Sequence, residues 1–192
     1  MTALLLAVRW AGPLSVLLTA LVYDAAGAAV MMLVCLGVTV AWRARPPAAL
    51  ELGTDLVLLL AAWSSVLLLY ERLTWWDLVV HFAATAVLAE LGFRALERWG
   101  GLSAARAVSH VLVVCALGAA LALLWEYAEF VGNATVDPRV QVGYRDTLGD
   151  LAAGTAGALT AGAVGAAARN RAGPARGGSG DRGVRADGRG QR

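Results

Sequence analysis

Six polar residues form three pairs at spacings of three or four, each beside or inside an apolar stretch: Asp77 and His81, Glu126 and Glu129, and Asp146 and Asp150. Residues three or four apart share one face of a helix, so each pair can offer two donor atoms to one ligand. Carboxylates suit Mg²⁺, Ca²⁺ or Mn²⁺, and an imidazole shifts the preference toward Mn²⁺, Zn²⁺ or iron. The pairs predict a polar site that binds a divalent cation or shares protons. The candidate metal ligands are His81, Glu126, Glu129, Asp146 and Asp150.

The sequence gives little support to catalysis by lysine, by cysteine or by a di-iron centre. All sixteen basic residues are arginine, which excludes a lysine Schiff base and a P-loop lysine. Cys35 and Cys115 fall midway along apolar runs and form no CxxC motif. The Glu-x-x-His signature of di-iron helical bundles is missing. The sequence therefore assigns no catalytic residue.

The same pairs have a purely structural interpretation. Thr74 and Asp77 fit a capping box, and Asp146 fits the N-cap of the helix that contains Asp150. Glu126 and Glu129 can mark the end of a membrane span, and His81 can be a core histidine. His110, Glu90, Glu51 and Asp55 are interpreted as interface or packing residues.

The elements that carry these residues are membrane spans. The chain has 192 residues, of which 59% are hydrophobic and 16% are charged, whereas soluble domains have about 25% charged residues. Lipid leaves no water for an open backbone, so the spans must be helices. The predicted fold is all-α, a polytopic six-helix transmembrane bundle. Its spans are Ala3–Val22, Ala28–Trp42, Gly53–Tyr70, Asp77–Leu96, Ala107–Phe130 and Thr147–Ala168.

Arginine placement predicts the orientation of the bundle. With both termini in the cytoplasm, the inner loops hold Arg43, Arg45, Arg94, Arg98 and Arg106, and the outer loops hold Arg72, Arg139 and Arg145. Trp42 and Trp99 then mark the inner boundary of the membrane. The three polar pairs fall together at the outer boundary. The lysine-free, alanine- and arginine-rich composition is typical of bacteria, which predicts the inner membrane of a bacterial cell.

The C-terminal region differs from the rest of the chain. Residues 1–168 form the predicted transmembrane domain, and residues 169–192 hold seven arginines and seven glycines with little to bury. This composition predicts a disordered cytoplasmic tail that is attracted to anionic lipid headgroups. No nucleic acid is expected, because the tail has no interleaved aromatic residues.

A stripe of small residues follows the last predicted span at every fourth position: Gly149, Ala153, Gly157, Ala161 and Gly165. Small residues let a second helix approach closely. Packing within the chain is favoured, because five other helices are at hand. A seam between two copies in a homo-oligomer is the alternative.

At these motifs the sequence resembles the YjdF-type family of uncharacterised bacterial inner-membrane proteins. The matching stretches are Trp76-Asp77-x3-His81-Phe82, Leu124-Trp125-Glu126-x2-Glu129-Phe130 and Arg145-Asp146-Thr147-x2-Asp150-Leu151. The chain is more distantly similar to VanZ-like proteins, which share the Asp-x3-His-Phe start and a downstream glutamate and are associated with the cell envelope. The resemblance implies a multi-pass membrane protein and supplies no catalytic assignment.

Three functions follow as hypotheses. The first is an inner-membrane protein whose outer Asp/Glu/His site binds a divalent cation or shares protons and acts on an envelope lipid or a lipid-linked substrate. The second is a small proton- or cation-coupled transporter, which requires polar residues along the full membrane path. The third is a non-catalytic membrane assembly protein whose acids cap helices.

Overall fold

The structure is a computed structural model that describes residues 2–23, 25–102, 106–136, 138, 140 and 142–172. Within these residues the regular elements are all helices, with no strand. Six of the described helices are long and apolar enough to cross a membrane, and α4 is a single turn. The predicted all-α, six-span fold is therefore confirmed. The helices are α1 (Thr2–Val22), α2 (Ala25–Ala44), α3 (Ala48–Val66), α4 (Leu69–Arg72), α5 (Trp76–Trp99), α6 (Ala107–Thr135) and α7 (Tyr144–Ala172).

The third helix ends earlier than the sequence predicts. Leu68 has a φ of 57°, a left-handed conformation that ends α3 and turns the chain into α4. The hydroxyl of Tyr70 donates a hydrogen bond of 3.0 Å to the carbonyl of Ala61, which fixes this reversal. Burial, and secondly the carboxylate of Asp77, raises the pKa of the Tyr70 phenol. The hydroxyl therefore keeps the proton that it donates.

The last two helices are longer than predicted. Helix α6 continues from Phe130 to Thr135, because nothing before Thr135 breaks the helix and the Thr135 hydroxyl donates to the carbonyl of Val131. The side-chain amide of Asn133 then donates to the carbonyl of Val140 at 2.7 Å, which closes the connection toward α7. Residues 169–172 of the predicted tail form the last turn of α7. The rest of that tail lies outside the described residues.

Helices α1, α2 and α3 pack together, and Pro13 does not interrupt α1. A buried cluster of Met31, Val34, Val38 and Ala62 joins α2 to α3. The guanidinium of Arg9 pairs with the carboxylate of Glu51, and its Nε donates at 2.9 Å. Glu51 lies one turn before Asp55, and it falls inside α3 because that helix begins at Ala48, ahead of the predicted start at Gly53.

Helices α5, α6 and α7 form a second group in which α7 packs along both of its neighbours. Close approach is possible because a Cβ at Gly157 would overlap the backbone of Phe82, and one at Gly118 would overlap Ala158. Ala89, Phe93, Val114 and Ala158 form the apolar core of this group. The three glycines of the predicted stripe, Gly149, Gly157 and Gly165, thus face residues of helices in the same chain.

The two groups meet where α3 and α2 lie against α5. The indole of Trp76 donates a hydrogen bond of 2.9 Å to the Ser64 hydroxyl, which ties the start of α5 to the end of α3. The outward faces of the long helices expose large apolar side chains such as Leu14, Leu112 and Val164. A surface of this kind requires lipid around it.

Candidate functional site

Three helices bring the six predicted polar residues to one end of the bundle. We call this set the His81 site: Asp77, His81, Glu126, Glu129, Asp146 and Asp150. Asp77 and His81 lie in the first turns of α5, and Asp146 and Asp150 lie in the first turns of α7. Helix α6 runs the other way and supplies Glu126 and Glu129 from its second half. The alternating direction of consecutive spans therefore makes residues distant in sequence neighbours in space.

The imidazole of His81 lies at the centre of the site. Its Nε2 atom is 3.3 Å from Oδ1 of Asp77 and 4.0 Å from Oδ1 of Asp150. These three residues can present one ligand atom each with all the atoms within 4.8 Å of one another. His81 is 8% exposed and Asp150 is 1% exposed, so the pair lies inside the helix packing.

A second grouping shares the same histidine. His81, Glu126 and Glu129 also offer ligand atoms that all lie within 4.8 Å of one another. Asp146 is only partly buried and belongs to neither grouping. Asp77, which the sequence places in the polar site but not among the metal ligands, does belong to one. Five of the six residues of the His81 site therefore belong to a grouping that could hold a metal ion.

Two carboxylate oxygens of the His81 site are buried without a hydrogen-bond partner. They are Oδ2 of Asp150 and Oε1 of Glu126. Unpaired carboxylate oxygens are costly inside a low-dielectric helix bundle, so each needs a proton, a cation or water. Within the described ranges no arginine pairs with an acid of this site, and Arg72 and Arg145 are exposed. Arg139, the third arginine of the predicted outer loops, lies outside those ranges.

The geometry does not show the helix caps that the structural interpretation predicts for Asp77 and Asp146. The N-cap residue of α5 is Trp75, and no side chain caps this helix end with a hydrogen bond. Thr74 therefore does not form the predicted capping box with Asp77. Helix α7 already begins at Tyr144, so Asp146 lies inside its first turn rather than at the N-cap. Both aspartates still gain from the positive end of their helix dipoles.

A second polar cluster lies at the other end of the same three helices. We call it the Glu90 cluster: Glu90, Arg94, Glu97, His110 and Arg169. Nε2 of His110 is 3.0 Å from Oε2 of Glu90, and both side chains are buried. Arg94 joins Glu90 at 2.8 Å and Glu97 at 3.4 Å, and Arg169 joins Glu97 at 2.8 Å.

Sequence reasoning treated Glu90 and His110 as separate packing residues and missed this cluster. The spacing of four between Glu90 and Arg94 was an available signal, since such pairs interact on a helix. Nothing in the sequence joins His110 or Arg169 to them. Gly165 makes that approach possible, because a Cβ there would lie 2.6 Å from Nε2 of His110 and 2.9 Å from Oε2 of Glu90.

Comparison with known proteins identifies the family. The model of the DUF2238 family, described as a predicted membrane protein, matches residues 1–171. This chain belongs to the DUF2238 family. Neither a curated protein nor a solved structure matches the chain.

The DUF2238 match agrees with the resemblance to YjdF-type membrane proteins. It extends from α1 to the end of α7, so both helix groups and the His81 site belong to the family region. The description of the DUF2238 family names a membrane protein and no reaction.

Proposed function

We propose that the His81 site binds a divalent cation. The observation that supports this most directly is the pair of buried, unpartnered carboxylate oxygens of Asp150 and Glu126 beside His81. The site has five carboxylates and one imidazole, and no described arginine neutralises them. Carboxylates in such surroundings cannot all ionise without a positive partner. A cation between the helices supplies that charge and the missing ligand contacts.

The donor set favours a particular class of cation. Oxygen ligands alone suit Mg²⁺ and Ca²⁺, whereas one imidazole among carboxylates favours Mn²⁺, Zn²⁺ or Fe²⁺. His81 belongs to both ligand groupings. Removal of its imidazole should therefore affect binding more than removal of any single carboxylate.

A cation bound in the His81 site acts at the membrane surface. Two of the three helices begin within two turns of the His81 site, which is the depth of lipid headgroups in the predicted orientation. A cation there can polarise a phosphoryl or carbonyl oxygen of an envelope lipid or lipid-linked substrate. The VanZ-like Asp-x3-His-Phe pattern supports a role in the cell envelope of a bacterial inner membrane.

Metal analysis tests the proposal. The chain purified in detergent should contain close to one equivalent of a transition metal, or bind Mn²⁺ or Zn²⁺ by calorimetry after a chelator has stripped it. The variants His81→Ala and Glu126→Gln should lose most of this binding. Glu71→Gln is the matched control, because Glu71 is exposed on α4 and lies outside both ligand groupings. Its metal content should be unchanged.

Circular dichroism and size exclusion should show that all three variants fold. Absence of metal from the parent chain, together with no change of thermal stability on addition of any of these cations, would reject the cation site. That result would favour the non-catalytic assembly protein.

A proton- or cation-coupled carrier is the second candidate. It is favoured by the Glu90–His110 pair, because this pair lies on the same helices as the His81 site, about 13 Å further along α5 at 1.5 Å per residue. Thr85 is buried between them, and its hydroxyl lies where α5 meets Gly154 of α7. Polar groups are thus spaced along the three-helix interior.

Flux measurements separate the carrier from a static site. Proteoliposomes with a pH-sensitive dye inside should show proton flux that is lost in both His81→Ala and Glu90→Gln. Flux equal to that of protein-free vesicles would exclude proton coupling and leave the metal measurement unaffected.

A further inference from the structure

An open groove of about 400 Å³ lies at the end of the bundle far from the His81 site. It lies between the connection of α2 to α3 and the last turns of α5. Three arginines and one glutamate supply its charged groups. The lining residues are Ala44, Arg45, Pro46, Pro47, Arg94, Glu97 and Arg98.

The groove has an excess of positive charge. Arg94 is neutralised by Glu90 and Glu97, and Glu97 is also paired with Arg169. Arg45 and Arg98 are exposed, and neither makes an ion pair with any residue that the structure describes. Neither guanidinium has a hydrogen-bond partner among the described residues. Guanidinium groups match the oxygens of phosphate in charge and geometry.

The backbone holds Arg45 in an unusual conformation. Its φ is 49°, in the left-handed region that residues with a Cβ rarely adopt. Pro46 and Pro47 follow at once, and their rings fix two further φ angles before α3 begins. The short connection is therefore rigid and keeps Arg45 at the groove.

The groove lies where three candidate spans end. Helix α2 ends at Ala44, α3 begins at Ala48 and α5 ends at Trp99. Trp42 comes two residues before Ala44 and Trp99 directly after Arg98, and they are 54% and 57% exposed. Exposed tryptophans at the ends of spans are typical of the headgroup layer of a membrane. A ligand in this groove therefore meets the membrane surface.

We propose that this groove binds the phosphate group of an anionic phospholipid, with Arg45 and Arg98 as the principal contacts. Basic pockets between spans are a general means of binding acidic headgroups. The position among span ends favours a membrane lipid over free phosphate. This site is independent of the His81 site and of the proposed cation, so either can fail without the other.

Lipid binding to the full chain in neutral detergent tests this assignment. Native mass spectrometry should detect phosphatidylglycerol bound at least about tenfold more tightly than phosphatidylcholine. Arg45→Gln and Arg98→Gln should each weaken phosphatidylglycerol binding about fivefold, and the double variant should abolish the preference over phosphatidylcholine. Arg98 is exposed in the last turn of α5, so its single variant should fold and test the groove even if the double variant does not.

Arg43→Gln is the matched control. Arg43 is exposed in the last turn of α2 but does not line the groove, so phosphatidylglycerol affinity should be unchanged. The basic C-terminal region is the same in every variant, and its contribution therefore cancels. An equal loss in Arg43→Gln, or equal binding of the two lipids, would overturn the proposal. Displacement of phosphatidylglycerol by low millimolar inorganic phosphate would show free phosphate to be the ligand and overturn the assignment to a lipid.

Discussion

His81 has carboxylates from three helices around it, and they differ in burial and geometry. Asp150 is almost fully buried and has an unpartnered oxygen, whereas Asp146, one turn earlier on the same helix, is partly exposed and outside both ligand groupings. The two aspartates look equivalent in the sequence. Their roles in the proposed cation site are not.

Asp150→Asn should weaken cation binding about 10- to 100-fold, since loss of even an outer-shell partner of a metal ligand has that effect. Asp146→Asn should change it about twofold or less. Calorimetric titration of Mn²⁺ or Zn²⁺ into the stripped proteins measures both. Both variants should fold, because each removes a charge and keeps the shape of the side chain. Equal effects of the two variants would contradict the proposed ligand set.

Two acids one turn apart on α3, Glu51 and Asp55, also differ in their surroundings. Glu51 pairs with Arg9, whereas both carboxylate oxygens of Asp55 are buried without a partner. Glu51→Gln should lower the free energy of unfolding by about 2 kcal/mol, because it leaves the arginine unpaired between helices. Asp55→Asn should cost less or stabilise the chain, since it removes a desolvated carboxylate. Thermal unfolding in detergent compares the two, and a larger loss in Asp55→Asn would show that this acid has a partner.

At the scale of elements, the small residues of α7 decide how closely the helices approach. Gly157 touches the backbone of Phe82, which cannot move without shifting α5. Gly165 makes room for Glu90 and His110. The position of His81 relative to Asp150 therefore depends on a contact between the residue that follows His81 and a glycine two turns beyond Asp150.

Gly157→Ala should destabilise the chain by about 1–3 kcal/mol, because the added methyl group overlaps a helix backbone. Gly53→Ala is the control, since nothing lies within 4 Å of a Cβ there and alanine favours the helix. Its stability should be equal or slightly higher. Thermal unfolding midpoints compare the stability of the two variants. Unchanged stability of Gly157→Ala would contradict the close contact between α5 and α7.

The helix boundaries show which features an apolar sequence pattern can predict and which it cannot. Apolar runs located all six long helices, because a span needs about 20 apolar residues whatever its neighbours are. They did not locate the break at Leu68, which rests on a bond between Tyr70 and the Ala61 carbonyl. They also ended α6 at Phe130, five residues before its end at Thr135. A helix continues past the lipid wherever its backbone finds no competing partner.

At the scale of the whole molecule, the orientation of the bundle in the membrane can be tested. The Arg72 end of α4 and the Arg43 end of α2 lie at opposite ends of the bundle, because α3 separates them. Arginine counts predict Arg72 outside the cell and Arg43 inside. The His81 site is then external and the arginine groove internal.

Single cysteines at these positions test the orientation. In a chain with Cys35→Ala and Cys115→Ala, a membrane-impermeant maleimide should label Arg72→Cys in intact cells. It should label Arg43→Cys only after permeabilisation. The reverse pattern would invert the molecule and place the His81 site in the cytoplasm.

The sequence by itself determined the fold class, the number of spans and the identity of the acid and histidine pairs. The spacing of residues along a helix and the sign of their charges depend only on neighbouring residues, so the sequence is sufficient to predict these features. Only the tertiary structure decided that Asp77 and Asp150 share His81, that Arg9 joins Glu51, and that His110 and Arg169 complete a second cluster. These contacts depend on the rotation and separation of packed helices, which are set by side-chain fit between residues far apart in the chain.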